Sequence, residues 1–260
     1  MFNLYDTPAA LIAVAFFLLM FAAVELGHIL GRRVDPAVWD KSNGAYSTLT
    51  GAVLGLLGLL LAFSFNMADT RYNARKAVLL KEANAIGTAY LRTSFLEAPV
   101  EARMKDVIRQ YVDALVGHQT VGMTQSQEAK LLARALSLQD QMWTLAASAE
   151  AYREPKGISL SLLSSAINDV IDVRSERKAA RENRVPDEVL WLLFVIAMLS
   201  GTLGGFAFGA TRHRNLTVTI SFIVLVTMVV FTILDLDRPR RGVIQVDQSP
   251  MLELQASLRK

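Results

Sequence analysis

The stretch from Gly44 to Leu96 decides how the rest of the chain is organised. It begins as GAYSTLTGAVLGLLGLLLAFSFNMA, residues 44–68, and continues as DTRYNARKAVLLKEANAIGTAYLRTSFL, residues 69–96. The first part is apolar and long enough to cross a bilayer core of roughly 30 Å, which takes about 20 helical residues. The second part is charged and favours a helix, and no Pro or turn cluster separates the two parts. We therefore predict one helix that leaves the bilayer and continues into water.

The composition also indicates a membrane protein. The chain has 260 residues, of which 52% are hydrophobic, a high fraction for a soluble protein. It contains no cysteine, which excludes a disulfide scaffold, a thiol nucleophile and a Cys-ligated metal site. The formal net charge is +3, but the Lys and Arg residues flank the apolar runs. We therefore expect them to contact lipid headgroups and set the topology, and we expect no nucleic-acid partner.

Apolar runs at four places predict four transmembrane helices. The first is interpreted as a retained span, because its leader MFNLYD carries an acid and no base and the run is longer than a signal-peptide core. Between the second and third runs lies a segment poor in Gly and Pro, with amphipathic helical faces. These patterns predict an all-α polytopic membrane protein with a helical bundle inserted between the second and third spans. The predicted spans are Ala9–Leu30, Ala45–Ala68, Glu188–Ala210 and Leu216–Leu234, and the predicted domains are residues 1–68, 69–187, 188–234 and 235–260.

Breaks between the remaining helices are predicted from Pro, Gly and capping residues. We expect a polar loop from Arg32 to Asn43, containing Pro36. Within the bundle, Pro99 is predicted to open a second helix, and Thr124 or Ser126 to cap a third. A fourth helix is predicted from about Ser159 to Asn183, after a break at Pro155 and Gly157.

Small residues recur at helical spacing on two of the spans, where they allow another helix to approach closely. On the second span the same stripe has an alternative function, in which it lines a narrow pore. The predicted helix-packing residues are Gly51, Gly55 and Gly58 on the second span, and Gly201 and Gly205 on the third.

Charged residues of the inserted segment are predicted to order the bundle and not to carry chemistry, since such networks contribute mainly to structure. Glu25 and His28 have the E-x-x-H spacing of di-iron bundles, but those need a second such motif, and the sequence has none. We therefore expect an interfacial polar pair there, with no metal and no other cofactor. The predicted structural charge network comprises Arg71, Glu82, Arg92, Asp172 and Arg177, with Asp169 and Arg174 beside them.

The distribution of Lys and Arg predicts the orientation. Four spans place the N-terminus, the inserted segment and the C-terminal tail on one side of the membrane. Most of the Lys and Arg near the span ends lie on that side, and the positive-inside rule makes it the cytoplasmic side. We therefore predict a multi-pass protein of the cytoplasmic (inner) membrane with both termini and the helical bundle in the cytoplasm.

Several strings together resemble the bacterial bestrophin-like membrane family, and more distantly the bestrophins: LLAFSFNMADTRYNARK, EANAIGTAYLR, NDVIDVRSERKAARENRVP and LDRPRRGVI. The resemblance extends from about Gly44 to Pro250. It implies a pentameric ion channel with four membrane segments per subunit and a cytosolic helical domain between the second and third. In bestrophins the pore neck is lined from the second segment by large apolar residues at i, i+4 and i+8, followed by a T-R-aromatic motif.

Thr70, Arg71 and Tyr72 are similar to that motif. Counting back by the family's spacing gives Gly55, Leu59 and Phe63; the resemblance implies that Leu59 and Phe63 form an apolar gate, whereas Gly55 departs from the pattern. Animal bestrophins also carry an acidic calcium clasp after the fourth segment. The corresponding stretch, DRPRRGVIQVD, lacks the acidic run and has Arg240 and Arg241 in its place, so calcium activation is not expected.

Three functions remain open. The first is an oligomeric channel for small inorganic ions, with Leu59 and Phe63 as the gate. Asn66 and Asp69 would lie at its mouth, where these two side chains either contact a permeating cation or only cap the transition to water. The second is a non-conducting scaffold or sensor whose helical domain binds a cytoplasmic partner. The third is an intramembrane enzyme. It is the least favoured, because the three histidines, His28, His118 and His213, lie in different elements with no nucleophile–base spacing.

Overall fold

The computed structural model describes residues 7, 9–117, 125–151, 157–238 and 242–259. Within these ranges the secondary structure is helical and contains no strand, which confirms the all-α prediction. A short 3-10 turn, Thr93–Phe95, follows the second helix. In chain order the α-helices are α1 (Ala9–Gly31), α2 (Pro36–Arg92), α3 (Ala98–Gly117), α4 (Gln125–Ala151), α5 (Gly157–Glu182), α6 (Asp187–Ala210), α7 (Leu216–Leu236) and α8 (Ser249–Leu258).

Helix α2 contains the predicted continuous helix and begins earlier than expected. The predicted loop from Arg32 to Asn43 is wrong, because residues 36–43 are helical. Pro36 stands in the first turn, where its missing N–H would have no intrahelical partner. The Asp35 carboxylate accepts the N–H of Ala37 at 2.8 Å and so caps the helix start. The expected breaks at Thr124 and Pro155 lie outside the described residues, and Gly157 starts α5.

The chain divides into two compact units. The first contains Met1–Tyr72 and Arg184–Gln245, and the second contains Asn73–Asn183 and Val246–Lys260. Four of the described helical stretches are long and apolar enough to cross a membrane. They include α1, α6, α7 and the N-terminal part of α2.

Glycines bring α1 and α6 into close contact in the first unit. A Cβ built on Gly205 would collide with the backbone of Val24, and one on Gly27 would collide with the backbone of Thr202. Gly31 and Gly209 face backbone atoms in the same way. Removing the side chain at each crossing lets two helix backbones approach, the general use of small residues between apolar helices. Helix α7 completes this core with buried aliphatic residues, among them Ile223, Val226, Val230 and Ile233.

The second unit is a helical bundle with a separate apolar core. Its largest buried side chains come from one face of each helix, as amphipathic patterning requires: Leu79, Ile86, Met104, Tyr111, Met142, Leu163 and Ile167. The C-terminal helix α8 buries Met251 and Leu258 in the same core. Its end is held by Arg109, whose Nε donates to the Leu258 carbonyl at 2.7 Å, and by Asp113, which accepts from Gln255 at 2.7 Å.

Candidate pore-facing surface of helix α2

Contacts of the apolar part of α2 fix how this helix is rotated within the first unit. Leu57, Ser64 and Ala68 are buried and lie on one side of the helix. At its N-terminal end, the Tyr46 hydroxyl donates to the Leu203 carbonyl of α6 at 2.5 Å. The Tyr46 ring also stacks on Phe206, with centroids 5.2 Å apart. These contacts leave the opposite side of α2 facing away from its own chain.

The predicted gate and mouth residues lie on that outward side. Leu59 is 51% exposed and Phe63 is 57% exposed, and Asn66 is exposed as well. At about 100° per residue, these three positions fall within about 60° of one another and opposite Leu57. Asp69 is half-buried at the edge of the same side. The structure therefore brings the gate and mouth residues together on one surface, which we call the outward face of α2 (positions 44–70 that lie opposite Leu57).

The two predicted glycine stripes differ in what they contact. On α6, Gly205 meets the α1 backbone, and a Cβ on Gly201 would lie 3.3 Å from Val24 Cγ2. On α2, no described atom lies within 4 Å of a Cβ built on Gly51, Gly55 or Gly58. The α6 glycines thus pack inside the chain. The α2 glycines contact no described residue, so it stays a prediction that they pack against a helix of a second molecule.

The outward face of α2 differs in composition from the outward faces of the other apolar helices. Those carry large apolar residues, which suit contact with lipid: Leu18, Leu19 and Leu26 on α1, Leu192 and Val195 on α6, and Leu225 and Met228 on α7. Thr48, Gly51, Gly55, Ala62, Asn66 and Thr70 line the face of α2, with Leu59 and Phe63 between them, and Leu56 and Gly58 lie at its two edges. Small and polar residues suit a closely packed helix or a polar pathway better than lipid.

Local hydrogen bonds order the polar end of this face. The Thr70 hydroxyl donates to the Asn66 side-chain oxygen at 3.2 Å, an interaction one helical turn apart. Arg71 donates to the Met67 carbonyl at 3.0 Å, and the Tyr72 hydroxyl donates to the Gln245 carbonyl at 3.4 Å. The side-chain oxygen of Asn66 therefore has a partner, while its amide N–H groups are still available for a ligand.

The predicted charge network is only partly assembled. Glu82 of α2 and Arg177 of α5 form a buried ion pair in the second unit. Arg92 instead donates to the Leu162 carbonyl at 2.6 Å, and exposed Asp172 accepts from Asn168 at 3.0 Å. Arg71 belongs to the first unit and bonds to Met67. The structure thus joins Glu82 with Arg177 and does not bring the other three predicted members to this pair.

The sequence did not reveal that Tyr111 and Gln139 lie beside this ion pair. Gln139 of α4 donates to the buried Tyr111 hydroxyl of α3 at 3.2 Å, and the Arg174 guanidinium lies 5.9 Å from the centre of the Tyr111 ring. Burial raises the pKa of Tyr111, the negative charge of Glu82 raises it further, and Arg174 opposes the shift. The bundle core therefore contains a polar cluster to which four helices contribute, and this arrangement suits a structural role.

Two carboxylates at the end of α7 act as anchors. Asp235 is buried, and its two oxygens accept the N–H groups of Val243 at 2.9 Å and Ile244 at 2.7 Å. Asp237 accepts the N–H of Val185 at 3.1 Å, just before α6. Together they hold residues 243 and 244, which follow α7, and Val185, which precedes α6. Pro239, Arg240 and Arg241, in the stretch compared with a calcium clasp, lie outside the described residues.

The E-x-x-H pair on α1 shows no metal-site geometry. Glu25 forms an ion pair with Arg214, which precedes α7. Among the described residues, no three His, Asp or Glu side chains come close enough to hold a metal ion. His28 and His213 belong to separate elements, and His118 lies outside the described residues.

A model of the Bestrophin-like domain matches residues 18–251 of the chain. The chain belongs to the bestrophin-like family. Its fold resembles that of crystal structures of mutants of a bacterial bestrophin homolog from Klebsiella pneumoniae. One of these is 12% identical with a TM-score of 0.67, covering 95% of this chain and 96% of that one. Another is 14% identical with a TM-score of 0.58, covering 92% and 94%.

A third crystal structure, of a membrane protein, is 14% identical with a TM-score of 0.65 and covers 94% of this bestrophin-like chain and 95% of its own. At these identities the likeness concerns the fold alone. No curated protein matches the chain. Family membership and the apolar helices together identify a membrane protein.

Proposed function

We propose that this bestrophin-like chain is one subunit of a homo-oligomeric channel for small inorganic ions in the cytoplasmic membrane. In this proposal α1, the apolar part of α2, α6 and α7 span the bilayer. The second unit and both chain termini lie in the cytoplasm, on the side where Lys and Arg are concentrated. The structural likeness to bacterial bestrophin homologs supports the same arrangement, and the family resemblance favours five subunits.

The outward face of α2 is the observation that carries the proposal. Four apolar helices in one chain are too few to enclose a path, but a ring of copies can turn the same face of each α2 toward a common axis. Leu59 and Phe63 would then form apolar rings, which gate ions by losing water from the constriction. Asn66 would place a ring of amides at one end of that constriction, with Asp69 beside it.

Ion flux from liposomes that contain the purified protein tests this proposal. Phe63→Ala should increase the flux, because it removes a large apolar side chain from one of the two proposed apolar rings. Phe65→Ala is the matched control: Phe65 is 41% exposed on the same helix, but about 160° away around it, and its removal should leave the flux unchanged. If neither cations nor anions pass through the wild type or the Phe63→Ala variant, the channel proposal is wrong.

A non-conducting scaffold or sensor is the second candidate, favoured by a groove on the bundle. The groove has a volume of about 470 Å³ and lies between α3 and α4. Its lining combines charge and hydrogen-bonding groups that suit a polar cytoplasmic partner: Arg103, Asp106, Gln110, Asp140 and Gln141. A soluble partner that co-purifies in a fixed ratio, together with an absence of flux, would favour this function over the channel.

A further inference from the structure

Three arginines that the proposed channel does not use lie at one end of the first unit. Arg32 and Arg33 follow α1, and Arg212 lies in the turn between α6 and α7. All three are exposed, and their side chains make no hydrogen bond or ion pair within the part of the chain that the structure describes. We call these three residues the arginine cluster. We propose that the arginine cluster binds the phosphate group of an anionic phospholipid at the end of the apolar helices.

Close packing of α1 against α6 brings the cluster together. A Cβ built on Gly209 of α6 would lie 3.0 Å from the backbone nitrogen of Arg32. Gly209 is three residues before Arg212, whose backbone N–H donates to the Gly209 carbonyl at 3.1 Å. The side chains of Arg32 and Arg212 therefore start beside the same glycine. Guanidinium groups match phosphate oxygens in geometry, and two of them at one place can bind a single phosphate.

The backbone of Arg212 points to a role for its side chain. Its φ is 57°, in the left-handed region, and among the described residues no other non-glycine residue has a positive φ. Arg212 directly follows Thr211, the C-cap of α6, at the position where a glycine is usual because a Cβ disfavours this conformation. An arginine there costs stability that a glycine would not. Strain of this kind is typical of positions that are kept for function.

An excess of positive charge favours an anionic ligand. Residues 25–41 and 211–215 form this end of the first unit and hold five Lys and Arg against three Asp and Glu. One of those acids, Glu25, is already paired with Arg214, and another, Asp35, caps the start of α2. The positive-inside rule does not explain the arginines, because the proposed topology puts this end on the non-cytoplasmic side. A bound anion accounts for them.

Apolar surface beside the cluster favours a lipid over a free ion. The last turns of α1 expose Leu26, Ile29 and Leu30, and α7 begins with exposed Leu216. A phospholipid whose phosphate reaches the arginines can lay its acyl chains on this surface, so that apolar contact and charge attraction act together. The proposal requires only that the first unit spans a membrane, and it does not depend on whether the protein conducts ions.

Native mass spectrometry of the full-length protein, stripped of lipid in detergent, tests the proposal. Phosphatidylglycerol should bind more tightly than phosphatidylcholine of the same chain length. Arg32→Gln and Arg212→Gln should each lower the affinity for phosphatidylglycerol about tenfold, because each removes charge-assisted hydrogen bonds to the phosphate. Arg103→Gln makes the same change of charge on exposed α3 of the second unit and should leave that affinity unchanged.

Arg212→Gly separates lipid binding from a purely structural role. Glycine relieves the left-handed strain, so this variant should unfold at a higher temperature than the wild type in the absence of lipid. It should nevertheless bind phosphatidylglycerol as weakly as Arg212→Gln does. If Arg212 served only the fold, Arg212→Gly would keep the wild-type affinity for phosphatidylglycerol, and the proposal would be wrong.

Two further results would overturn the proposal. One is equal affinity of the wild type for phosphatidylglycerol and phosphatidylcholine, or an affinity for phosphatidylglycerol that neither glutamine variant lowers. The other is binding of inorganic phosphate as tight as that of phosphatidylglycerol, which would assign the arginine cluster to the free ion and not to a lipid. Neither result bears on the channel proposal, which the flux measurement tests separately.

Discussion

Replacing Gly205 by alanine tests whether α1 and α6 pack as closely as their glycines allow. The new Cβ would collide with the carbonyl oxygen of Val24 and lie 3.0 Å from the Val24 Cα, whereas ordinary contact begins at 3.4 Å. Because the obstructing atoms belong to the backbone, no rotation of a side chain relieves the clash. The two helices must separate locally, which also loosens their contacts at Gly27 and Gly209.

The expected loss of stability follows from two opposing effects. An extra methyl group in a closely packed core costs about 1–3 kcal/mol, and a clash with rigid backbone belongs at the upper end of that range. Alanine also has a higher helix propensity than glycine, which contributes up to about 1 kcal/mol in the opposite direction. We therefore expect Gly205→Ala to lower the free energy of unfolding by about 2 kcal/mol. Denaturant titration of the full chain in detergent measures this change.

Gly204→Ala is the matched control for this measurement. Gly204 is the adjacent residue on the same helix, and no described atom lies within 4 Å of a Cβ placed on it. The same substitution should therefore leave the subunit's free energy of unfolding unchanged or raise it slightly. Equal losses from the two variants would refute the close packing of α1 against α6.

Other predictions concern the buried polar groups. Glu82→Leu should lower the free energy of unfolding by about 3–5 kcal/mol, because it leaves Arg177 buried without its carboxylate. The double variant Glu82→Leu, Arg177→Met should be close to the wild type in stability. If the effects of the two single substitutions simply add in a double-mutant cycle, the ion pair is contradicted. Since burial raises the pKa of Tyr111 above its usual 10.0, the folded bundle keeps this hydroxyl neutral at pH values where the unfolded chain ionises it, so stability should fall as the pH rises above about 10. Thermal unfolding at alkaline pH should show this loss, Tyr111→Phe should reduce it, and an unchanged slope would refute the assignment. Asp235→Asn should speed hydrogen exchange of the Val243 and Ile244 amides, because one of their two hydrogen bonds to the carboxylate is lost, at a cost of about 1–3 kcal/mol. Asp40 is exposed, and Asp40→Asn should leave this exchange unchanged. Equal protection of these amides in the two variants would argue against the anchor.

Hydropathy and periodicity predicted the long helix and the all-α fold because both signals are local. An apolar run followed by an amphipathic run with no break specifies a helix without any knowledge of its neighbours. The start of α2 could not be placed in this way. Asp35 and Pro36 have the composition of a loop, yet the same two residue types are typical of a helix cap and first turn. Only the backbone geometry distinguishes these two readings.

Partners across the fold were harder to predict, because sequence gives residue types but not distances between helices. Glu82 and Arg177 were expected among several charges, and only their burial on facing helices separates them from Asp172, which is exposed. Tyr111 lies on the apolar face of its helix, and the sequence pattern does not distinguish its ring from the aliphatic residues of the same core. The glycines of α2 and α6 look alike in sequence; the difference is that α6 meets Gly27 and Gly31 of α1, whereas the α2 glycines meet no described residue of the chain.

The proposed channel predicts, above all, that the outward face of α2 lines the conducting path. Thiol modification during flux measurement tests this most directly, since the natural chain has no cysteine to react. Asn66→Cys, once reconstituted, should lose its ion flux when a charged, membrane-impermeant thiol reagent is added, because the added group occupies the mouth of the path. Phe65→Cys, about 100° away from Asn66 around the helix and off the outward face, should keep its flux under the same treatment. Equal responses of the two variants, or a flux through Asn66→Cys that the reagent leaves unchanged, would contradict the account.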